Sequence, residues 1–575
     1  PLRLVGSEMC IRDSCYVERE GANLDDFLII TYTRAAASEL RGKIAKALTE
    51  RMERDPGNYH LRQQMLRVYR ADIKTVDAFC TALLRENCHL LGEDARGHAL
   101  RPDFRVLDEN EAQVLRERVL ARTLDDFYDC LTLGGTLLAD TLGAGRDDSA
   151  LEQLVLELHA KLQAQPYEDK WLEAQRAFWR AVPDKIEDTP YGKILLNEVR
   201  RKARHCKNLL QRAAQEMCAN DALNQKYAPA FLDASYQLEA LEGKTAEGWD
   251  AARGVTIAFP RLAAVKDSDG GEMKARMKSL WDNCKETVKG FAEIFSASSD
   301  EAVEDLRTMA PAMLALIDLT ADFSRRYNEE KRRRNSADFS DQEHEAIRLL
   351  IGEDGTPTEL AHIVSARYRE IMVDEYQDTN EVQNRIFDAI SCKGENLFTV
   401  GDVKQSIYRF RLADPRIFLQ HYNTWPPLED AEEHDSAKLL LSRNFRSRKE
   451  VLDATNFIFC NILSEEMGEL DYGADEMLRL GANYVESSAC GAEFHLLDLP
   501  TQTGEQRVRA SEAEAAFVAD YISNMLTSEF PIQDDKTKEL RPVREEDIVI
   551  LMRSPSTRLL DYRRALEARG LHCAA

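Results

Sequence analysis

A short apolar run that ends in two adjacent carboxylates is the feature that most constrains this chain. Ile371 to Val373 are apolar, and Asp374 and Glu375 follow directly. A buried β-strand with this ending places one carboxylate beside a nucleotide-bound Mg²⁺ and the other beside the attacking water. An acidic helix N-terminus is the alternative interpretation, since a chain with 101 acidic residues contains such pairs by chance. The segments that follow favour the strand.

Two further apolar segments with polar ends follow along the chain. Residues 397–400 (Leu-Phe-Thr-Val) precede the largely polar stretch 401–411, and residues 439–441 (Leu-Leu-Leu) precede 442–447. Each apolar run is a predicted strand. Together with residues 371–380, these segments resemble motifs II, III and IV of superfamily 1 helicases, the UvrD/Rep group, in residue identity as well as in hydropathy.

Other segments narrow the resemblance. Residues 29–41 are similar to motif Ia of that group, and residues 73–80 to motif Ib. Residues 337–344 (Ala-Asp-Phe-Ser-Asp-Gln-Glu-His) resemble the AddA subunits of bacterial AddAB helicase-nucleases more closely than UvrD or Rep. The similarity extends unevenly from about Tyr16 to the C-terminus.

The resemblance and the apolar patterns together predict an α/β fold, with RecA-like motor domains built on parallel sheets plus a large α-helical insertion. Five segments are expected: 1–15, a non-native or misassembled segment; 16–107, the first part of motor domain 1A; 108–338, a helical insertion similar to subdomain 1B; 339–427, the second part of 1A with motifs II and III; and 428–575, a truncated start of the second motor domain, 2A.

Local patterns predict individual elements. Residues 27–32 are a predicted strand, and residues 35–48 a helix with Leu40, Ile44 and Leu48 on one face. Near the C-terminus, residues 546–553 are a predicted strand and residues 557–569 an amphipathic helix. Within the insertion, helical spacing is clearest for Leu151, Leu154, Val155, Leu158 and Leu162.

Nucleotide hydrolysis in such motors requires a phosphate-binding loop, Gly-x-x-x-x-Gly-Lys-Ser/Thr. The sequence does not contain one, and Gly243-Lys244-Thr245 lacks both the first glycine and a preceding strand. In the resembled family the loop precedes motif Ia, and motifs V and VI and a nuclease domain follow 2A. We therefore expect the chain to be a fragment that is inactive alone.

The resemblance implies roles for five residues at the nucleotide site. Asp374 would hold Mg²⁺, and Glu375 would polarise the attacking water of ATP hydrolysis. Gln405 would sense the γ-phosphate, Arg446 would act as an arginine finger, and Phe445 would stack on adenine.

A second set of residues is implied in DNA binding. Aromatic side chains can stack on any base, whatever the sequence. Core packing at strand ends is the alternative role for the aromatic members. Two departures from the family pattern stand nearby, Arg34 in place of an asparagine and Asp77 in place of a histidine. The DNA-binding residues expected are Tyr32, Thr33, Arg34, Thr75, Tyr408 and Phe410.

Composition limits the remaining function classes. The net charge of −25 argues against a surface that coats nucleic acid indiscriminately. The basic run from Arg325 to Arg334 either contacts a DNA backbone or forms a solvated helix face paired with Glu329 and Glu330.

The twelve cysteines include no Cys-x-x-Cys pair, and the family's iron–sulfur cluster would lie beyond Ala575. No apolar stretch approaches the ~18 residues of a spanning helix, so a cytoplasmic location without membrane contact is expected.

The leading hypothesis is the motor part of an ATP-dependent, AddA-like DNA helicase. It would move 3'–5' on single-stranded DNA in double-strand break repair, bind single- and double-stranded DNA, use ATP and Mg²⁺, and pair with an AddB-like subunit, with an exonuclease in a missing C-terminal region. One alternative is a UvrD- or RecB-like helicase without AddB. The other is a degenerate DNA-binding scaffold that does not hydrolyse ATP.

Overall fold

The computed structural model describes residues 21–94, 96–142, 149–391, 394–432, 435–485, 491–499, 509–534 and 537–574. The segment 1–15 that we expected to be non-native lies outside these residues. The chain forms two compact units. We call the first, the described chain up to Phe79 together with Leu350 onward, the sheet unit, and the second, Cys80–Leu349, the helical unit.

The strands are β1 (Phe27–Thr31), β2 (Asp72–Thr75), β3 (Arg105–Val106), β4 (Ser336–Ala337), β5 (Glu370–Val373), β6 (Leu397–Thr399), β7 (Arg443–Asn444), β8 (Arg479–Leu480), β9 (Pro531–Gln533) and β10 (Leu540–Pro542). The α-helices are α1 (Arg34–Arg54), α2 (Tyr59–Arg67), α3 (Val76–Asn87), α4 (Glu109–Asp129), α5 (Leu133–Leu142), α6 (Ser149–Gln163), α7 (Glu168–Arg180), α8 (Pro190–Met217), α9 (Asp221–Lys226), α10 (Ala228–Lys244), α11 (Trp249–Arg253), α12 (Asp267–Ile294), α13 (Ser299–Arg333), α14 (Phe339–Leu350), α15 (Glu359–Arg367), α16 (Glu381–Ile390), α17 (Pro415–Thr424), α18 (Lys449–Ile462), α19 (Glu465–Gly468), α20 (Ala510–Thr527) and α21 (Pro555–Glu567).

A four-stranded parallel sheet in the order β2-β1-β5-β6 forms the centre of the sheet unit. Ile30 of β1 is in register with Lys74 of β2 on one side and with Val373 of β5 on the other. All residues of β1 and β5 are buried, as is typical of parallel strands covered on both faces. The predicted strands at 27–32, 371–373 and 397–400 are confirmed.

Helix α1 covers one face of this sheet. Leu40, Ile44 and Leu48 are buried in one apolar cluster with Ile29 and Met372. This confirms the predicted helix and its buried face, although the helix continues beyond the predicted end to Arg54.

The helical unit consists almost entirely of α-helices. A large apolar cluster lies among α8, α10 and α12, and the 35-residue helix α13 contributes to this cluster through Val303. The helical spacing noted at 151–162 is confirmed, since Leu151, Val155 and Leu162 are buried. The expected α/β fold with a large helical insertion is therefore confirmed, whereas the exact domain boundaries stay predictions.

Among the described residues, no helix combines the length and apolar character that a bilayer crossing needs.

Two predicted strands are wrong. Residues 439–441 have no strand assignment, and all three leucines are exposed. Residues 546–553 are likewise not a strand, and Val549 and Leu551 are 75% and 90% exposed. A strand needs a neighbour to take its backbone hydrogen bonds, and within the described ranges neither segment has a ladder partner. The amphipathic helix that follows is confirmed as α21.

A buried charged cluster fixes the C-terminal end of α13. The Nζ atom of Lys331, which is 1% exposed, donates to Asp338 (2.9 Å) and Asp341 (2.7 Å). The hydroxyl of Tyr327 also donates to Asp338 (3.0 Å). The nearby lysine and these hydrogen bonds lower the pKa of Asp338, whereas burial and the charge of Asp338 raise the pKa of Asp341 to about 7.

We predict that Lys331→Met destabilises the helical unit by about 3–5 kcal/mol, because the buried Asp338 and the half-buried Asp341 lose their shared cation. Lys278→Met, which changes an exposed lysine of α12, should alter stability by less than about 0.5 kcal/mol. Urea denaturation followed by circular dichroism measures both. Equal midpoints for the two variants would contradict the assigned role of Lys331.

We also predict a pH-dependent effect of Asp341→Asn. Because the pKa of Asp341 is raised in the folded state, its stabilising contribution is complete below its ordinary pKa of ~3.9 and is lost as the pH rises through about 7. The variant lacks this titration, so its stability relative to the parent chain should rise between pH 5 and pH 8. The exposed control Asp282→Asn should show a constant difference. Denaturation midpoints at four pH values test this, and parallel curves for Asp341→Asn would contradict it.

Candidate active site at the carboxyl edge of the sheet

The direction of the strand connections reverses between β1 and β5 at the carboxyl edge of the sheet. The connection from β1 leads to β2 on one side, and the connection from β5 leads to β6 on the other. In open parallel sheets, ligands bind where successive connections leave in opposite directions. The polar residues that follow β1, β5 and β6 meet at this edge.

Asp374 and Glu375 lie directly after β5. The backbone N–H of Asp374 donates to the carbonyl of Ile30 (3.0 Å), which holds the residue against β1. Asp374 is buried and Glu375 half-buried. Glu375 has a left-handed backbone (φ +49°), and its N–H donates to Oδ1 of Asp374 (3.1 Å). A non-glycine residue in this conformation carries strain of about 1–3 kcal/mol, a feature that clusters at functional sites.

A chain of hydrogen bonds joins Glu375 to Gln405. The side-chain amide of Gln377 donates to Oε2 of Glu375 (2.7 Å), and its carbonyl oxygen accepts from the backbone N–H of Asp402 (2.9 Å). The amide of Gln405 then donates to Oδ2 of Asp402 (2.9 Å). We call these four residues, Glu375, Gln377, Asp402 and Gln405, the relay. It connects the end of β5 with the turn after β6.

Gly401 permits the close approach on which the relay depends. A Cβ atom at this position would lie 2.5 Å from Oε1 of Gln377 and 3.1 Å from the backbone nitrogen of Tyr376. The first distance is too short for any Cβ atom, and the second is tight enough that the backbone would have to shift. Gln377 is 1% exposed, so it has little room to move away.

Asp378 adds a second titratable carboxyl close to Glu375. Burial and then the negative charge of Glu375 raise the pKa of Asp378 to about 6. Its Oδ1 atom is buried and accepts no hydrogen bond from the described residues. Sequence reasoning assigned no role to Gln377, Asp378, Gly401 or Asp402. Their placement directly after predicted strands is the signal that marks them.

Asp374 suits a magnesium ligand. Mg²⁺ prefers oxygen ligands and is usually held by one or two carboxylates together with substrate phosphates and water. The Asp374 carboxylate at this edge fits that pattern, with the amide of Glu375 orienting one of its oxygens.

The residues expected to bind DNA near β1 already make contacts within the protein. The hydroxyl of Tyr32 lies 2.6 Å from that of Thr379, which fixes the ring near the start of α16. Thr33 caps α1 by accepting from Ala36, and the buried Thr75 hydroxyl accepts from the N–H of Ala78. These contacts hold the side chains at the carboxyl edge of the sheet in place. Thr33 is exposed, whereas Thr75 is buried.

Arg34 is exposed and close enough to Asp77 to act on it electrostatically. Burial raises the pKa of Asp77, and the positive charge of Arg34 opposes that rise. Asp77 is thus partly neutralised by the residue that departs from the family pattern alongside it.

Tyr408 and Phe410 form an aromatic pair after the relay. Their ring centroids are 5.9 Å apart, and Phe410 is 76% exposed. An exposed ring of this kind is accessible for stacking on a base.

Arg446 and Phe445 follow β7. Arg446 is exposed. Lys43 lowers the pKa of Glu39 on α1, and the positive charge of Arg446 lowers it further. No described residue links the Arg446 side chain to the relay by a hydrogen bond. Phe445 packs on Gly481, where a Cβ atom would lie 2.8 Å from the ring. The structure therefore brings Asp374, Glu375 and Gln405 together, with Arg446 outside their network.

Comparisons with known proteins identify the family and relatives of this chain. The family model of the UvrD/REP helicase N-terminal domain matches residues 14–426. The chain is 32% identical over 92% of its length to a protein of Ruminiclostridium cellulolyticum, and 34% identical over 93% to one of Bacillus cytotoxicus. A Listeria innocua protein is 32% identical over 93%. All three are named as subunits of an ATP-dependent helicase/nuclease, and the chain spans 44–45% of their lengths.

We predict opposite effects for two glycine substitutions. Gly401→Ala should destabilise the sheet unit by about 1–3 kcal/mol, because the new methyl group collides with Gln377. Gly42→Ala, in the middle of α1 where the added Cβ meets only open space, should stabilise by about 0.5–1 kcal/mol. Thermal and urea denaturation measure both. An unchanged stability of Gly401→Ala would show that the relay is not tightly packed.

Proposed function

The chain belongs to the UvrD/REP helicase family, and from this membership we propose that it is part of the motor of an ATP-dependent DNA helicase. The relay from Glu375 to Gln405 is the observation that carries the proposal. It ties a carboxylate able to polarise water to an amide able to contact a phosphate, at the edge where parallel sheets bind ligands.

In the proposed mechanism, Asp374 holds the Mg²⁺ that accompanies ATP, and Glu375 accepts a proton from the attacking water. Gln377 orients the Glu375 carboxylate by donating to Oε2. Gln405 contacts the γ-phosphate, and a change in that contact reaches Glu375 through Asp402 and Gln377. The two ends of the relay therefore respond to each other.

Arg446 and Phe445 complete the nucleotide site in this proposal. Arg446 acts as an arginine finger that stabilises the charge on the transferred phosphoryl group, and Phe445 stacks on adenine. Arg446 is exposed and already lies within electrostatic range of Glu39. A shift of this side chain away from Glu39 would accompany nucleotide binding.

We propose that the motor binds and moves along single-stranded DNA. Tyr32 and Phe410 stack on bases, assisted by Tyr408, while Thr33 and Arg34 contact the backbone. Thr75 supports this surface by capping α3, since its hydroxyl is used within the protein.

The whole protein is proposed to act like its relatives, which are named as helicase/nuclease subunits. It would move 3'–5' on DNA during double-strand break repair in the cytoplasm, and its partners would be double-stranded DNA and an AddB-like protein. An exonuclease and its iron–sulfur cluster would lie outside this segment, and we assign none of its cysteines to that cluster.

Glu375→Gln tests the proposed base in a protein of the relatives' full length. DNA-stimulated ATP hydrolysis should fall by about 10²–10⁴-fold, because the amide cannot accept the proton, while ATP affinity stays within about twofold. A coupled phosphate-release assay and equilibrium binding of a fluorescent ATP analogue measure the two quantities. Glu353→Gln, on an exposed turn of the sheet unit, should change neither. Undiminished turnover in Glu375→Gln would refute the assignment of the base.

A further inference from the structure

A small basic cavity lies on the helical unit. Its volume is about 170 Å³, and residues from three separate elements line it. Helix α4 contributes Val119 and Arg122, and helix α13 contributes residues spaced one turn apart. A loop before β3 contributes two more. The charged lining residues are Arg96, His98, Arg122, Arg326, Glu329, Glu330 and Arg333.

The loop that carries Arg96 and His98 is held in shape by Asp94. One carboxylate oxygen of Asp94 accepts from the backbone N–H groups of Arg96 (2.9 Å) and His98 (2.8 Å). Gly97 between them has a φ of +79°, which closes the turn. These hydrogen bonds hold the backbone of Arg96 and His98 against Asp94.

Helix α13 is also held in place by contacts within the protein. Lys331 and Tyr327 hold its far side through the buried cluster, and Arg326, Glu330 and Arg333 lie on the side that lines the cavity. This arrangement follows the 3.6-residue period of the helix. The lining residues of α13 therefore project from regular helical backbone.

The arginines of the cavity are only partly neutralised. Glu329 pairs with Arg96 (2.8 Å), Glu330 pairs with Arg333 (2.7 Å), and Arg326 pairs with Asp322 (2.8 Å) and with Asp126. Arg122 is exposed and has no ion pair with any described residue. Glu329 also pairs with Arg325 and Glu330 also pairs with Arg334, so six arginines, counting Arg122, share these four carboxylates and form a local positive site on a chain with a net charge of −25.

We propose that this cavity binds a phosphate group of a nucleic acid backbone, with Arg122 as the side chain that contacts it. Arginine matches the geometry of phosphate oxygens with two parallel N–H donors. Cavities that enclose whole small ligands measure ~300–1,000 Å³, so this one admits a phosphate but not a complete nucleotide. Val119 is its only apolar lining residue among those the structure describes, which leaves no stacking surface for a base.

This inference rests on the proposal that the chain binds DNA, and the test separates the two. Arg122→Gln is compared with Arg118→Gln, an exposed arginine one turn earlier on α4 that does not line the cavity. Neither arginine pairs with a described carboxylate, so both variants should fold. Fluorescence anisotropy with a labelled 20-nucleotide oligo-dT, at several NaCl concentrations, gives the affinity and its salt dependence.

Arg122→Gln should weaken oligo-dT binding by about 3–10-fold and reduce the slope of log K against log[salt] by about 0.7, the loss of one phosphate contact on a single strand. Arg118→Gln should stay within about twofold. Equal effects of the two variants would overturn the inference while leaving DNA binding intact. No oligo-dT binding by the parent chain would contradict both the inference and the proposed function.

A second measurement distinguishes the backbone from free phosphate. The melting temperatures of the parent chain and Arg122→Gln are compared in sodium phosphate and in sodium chloride of equal ionic strength. The backbone assignment predicts the same small difference between buffers for both proteins. Stabilisation by phosphate that Arg122→Gln abolishes, with unchanged oligo-dT affinity, would replace the backbone by free inorganic phosphate as the ligand.

Discussion

The parallel pairing of β1 with β5 is the interaction on which the rest of the structure depends, because it joins two strands separated in sequence by the whole helical unit. Closing so long a connection costs little additional entropy, since each doubling of loop length adds only ~0.6 kcal/mol. The helical unit further brings its own ends together by pairing β3 with β4, where Arg105 is in register with Ser336. The insertion can thus be large without pulling the two central strands apart.

The same pairing determines the site. Once Asp374 is held by the carbonyl of Ile30, Glu375 must turn in the left-handed conformation to leave the sheet. The strain of that turn is offset by the relay, in which Gln377 fastens the Glu375 carboxylate to the chain after β6. The absence of a side chain at Gly401 lets these two segments approach. The proposed base is therefore oriented by the protein before any nucleotide arrives.

Sequence patterns predicted the parts of the fold that local chemistry decides. β1 and β5 are largely continuous apolar runs, and the buried residues of α1 recur at the helical period, so these elements could be derived directly. The strands predicted around Leu439 and Leu551 were wrong, because an apolar run becomes a strand only beside a partner strand. Hydrophobic periodicity does not reveal that partner. At the site, the position of Asp374 and Glu375 after an apolar run marked them as candidates, and the resemblance implied their roles and that of Gln405. The position of Gln377 and Gly401 after predicted strands is visible in the sequence, but the close packing of these two residues joins distant segments, and one sequence does not display it.

Helix α13 also limits how this protein can change its length. Over about 52 Å, calculated at 1.5 Å per residue, it contributes side chains to three apolar clusters and ends at the cavity and at Lys331. One residue inserted near its middle would rotate everything beyond it by about 100°, which would exchange Arg326 for a neighbour and turn Lys331 away from its carboxylates. An insertion or deletion inside α13 would therefore disrupt the contacts on both sides of it, so α13 fixes the spacing of the helical unit.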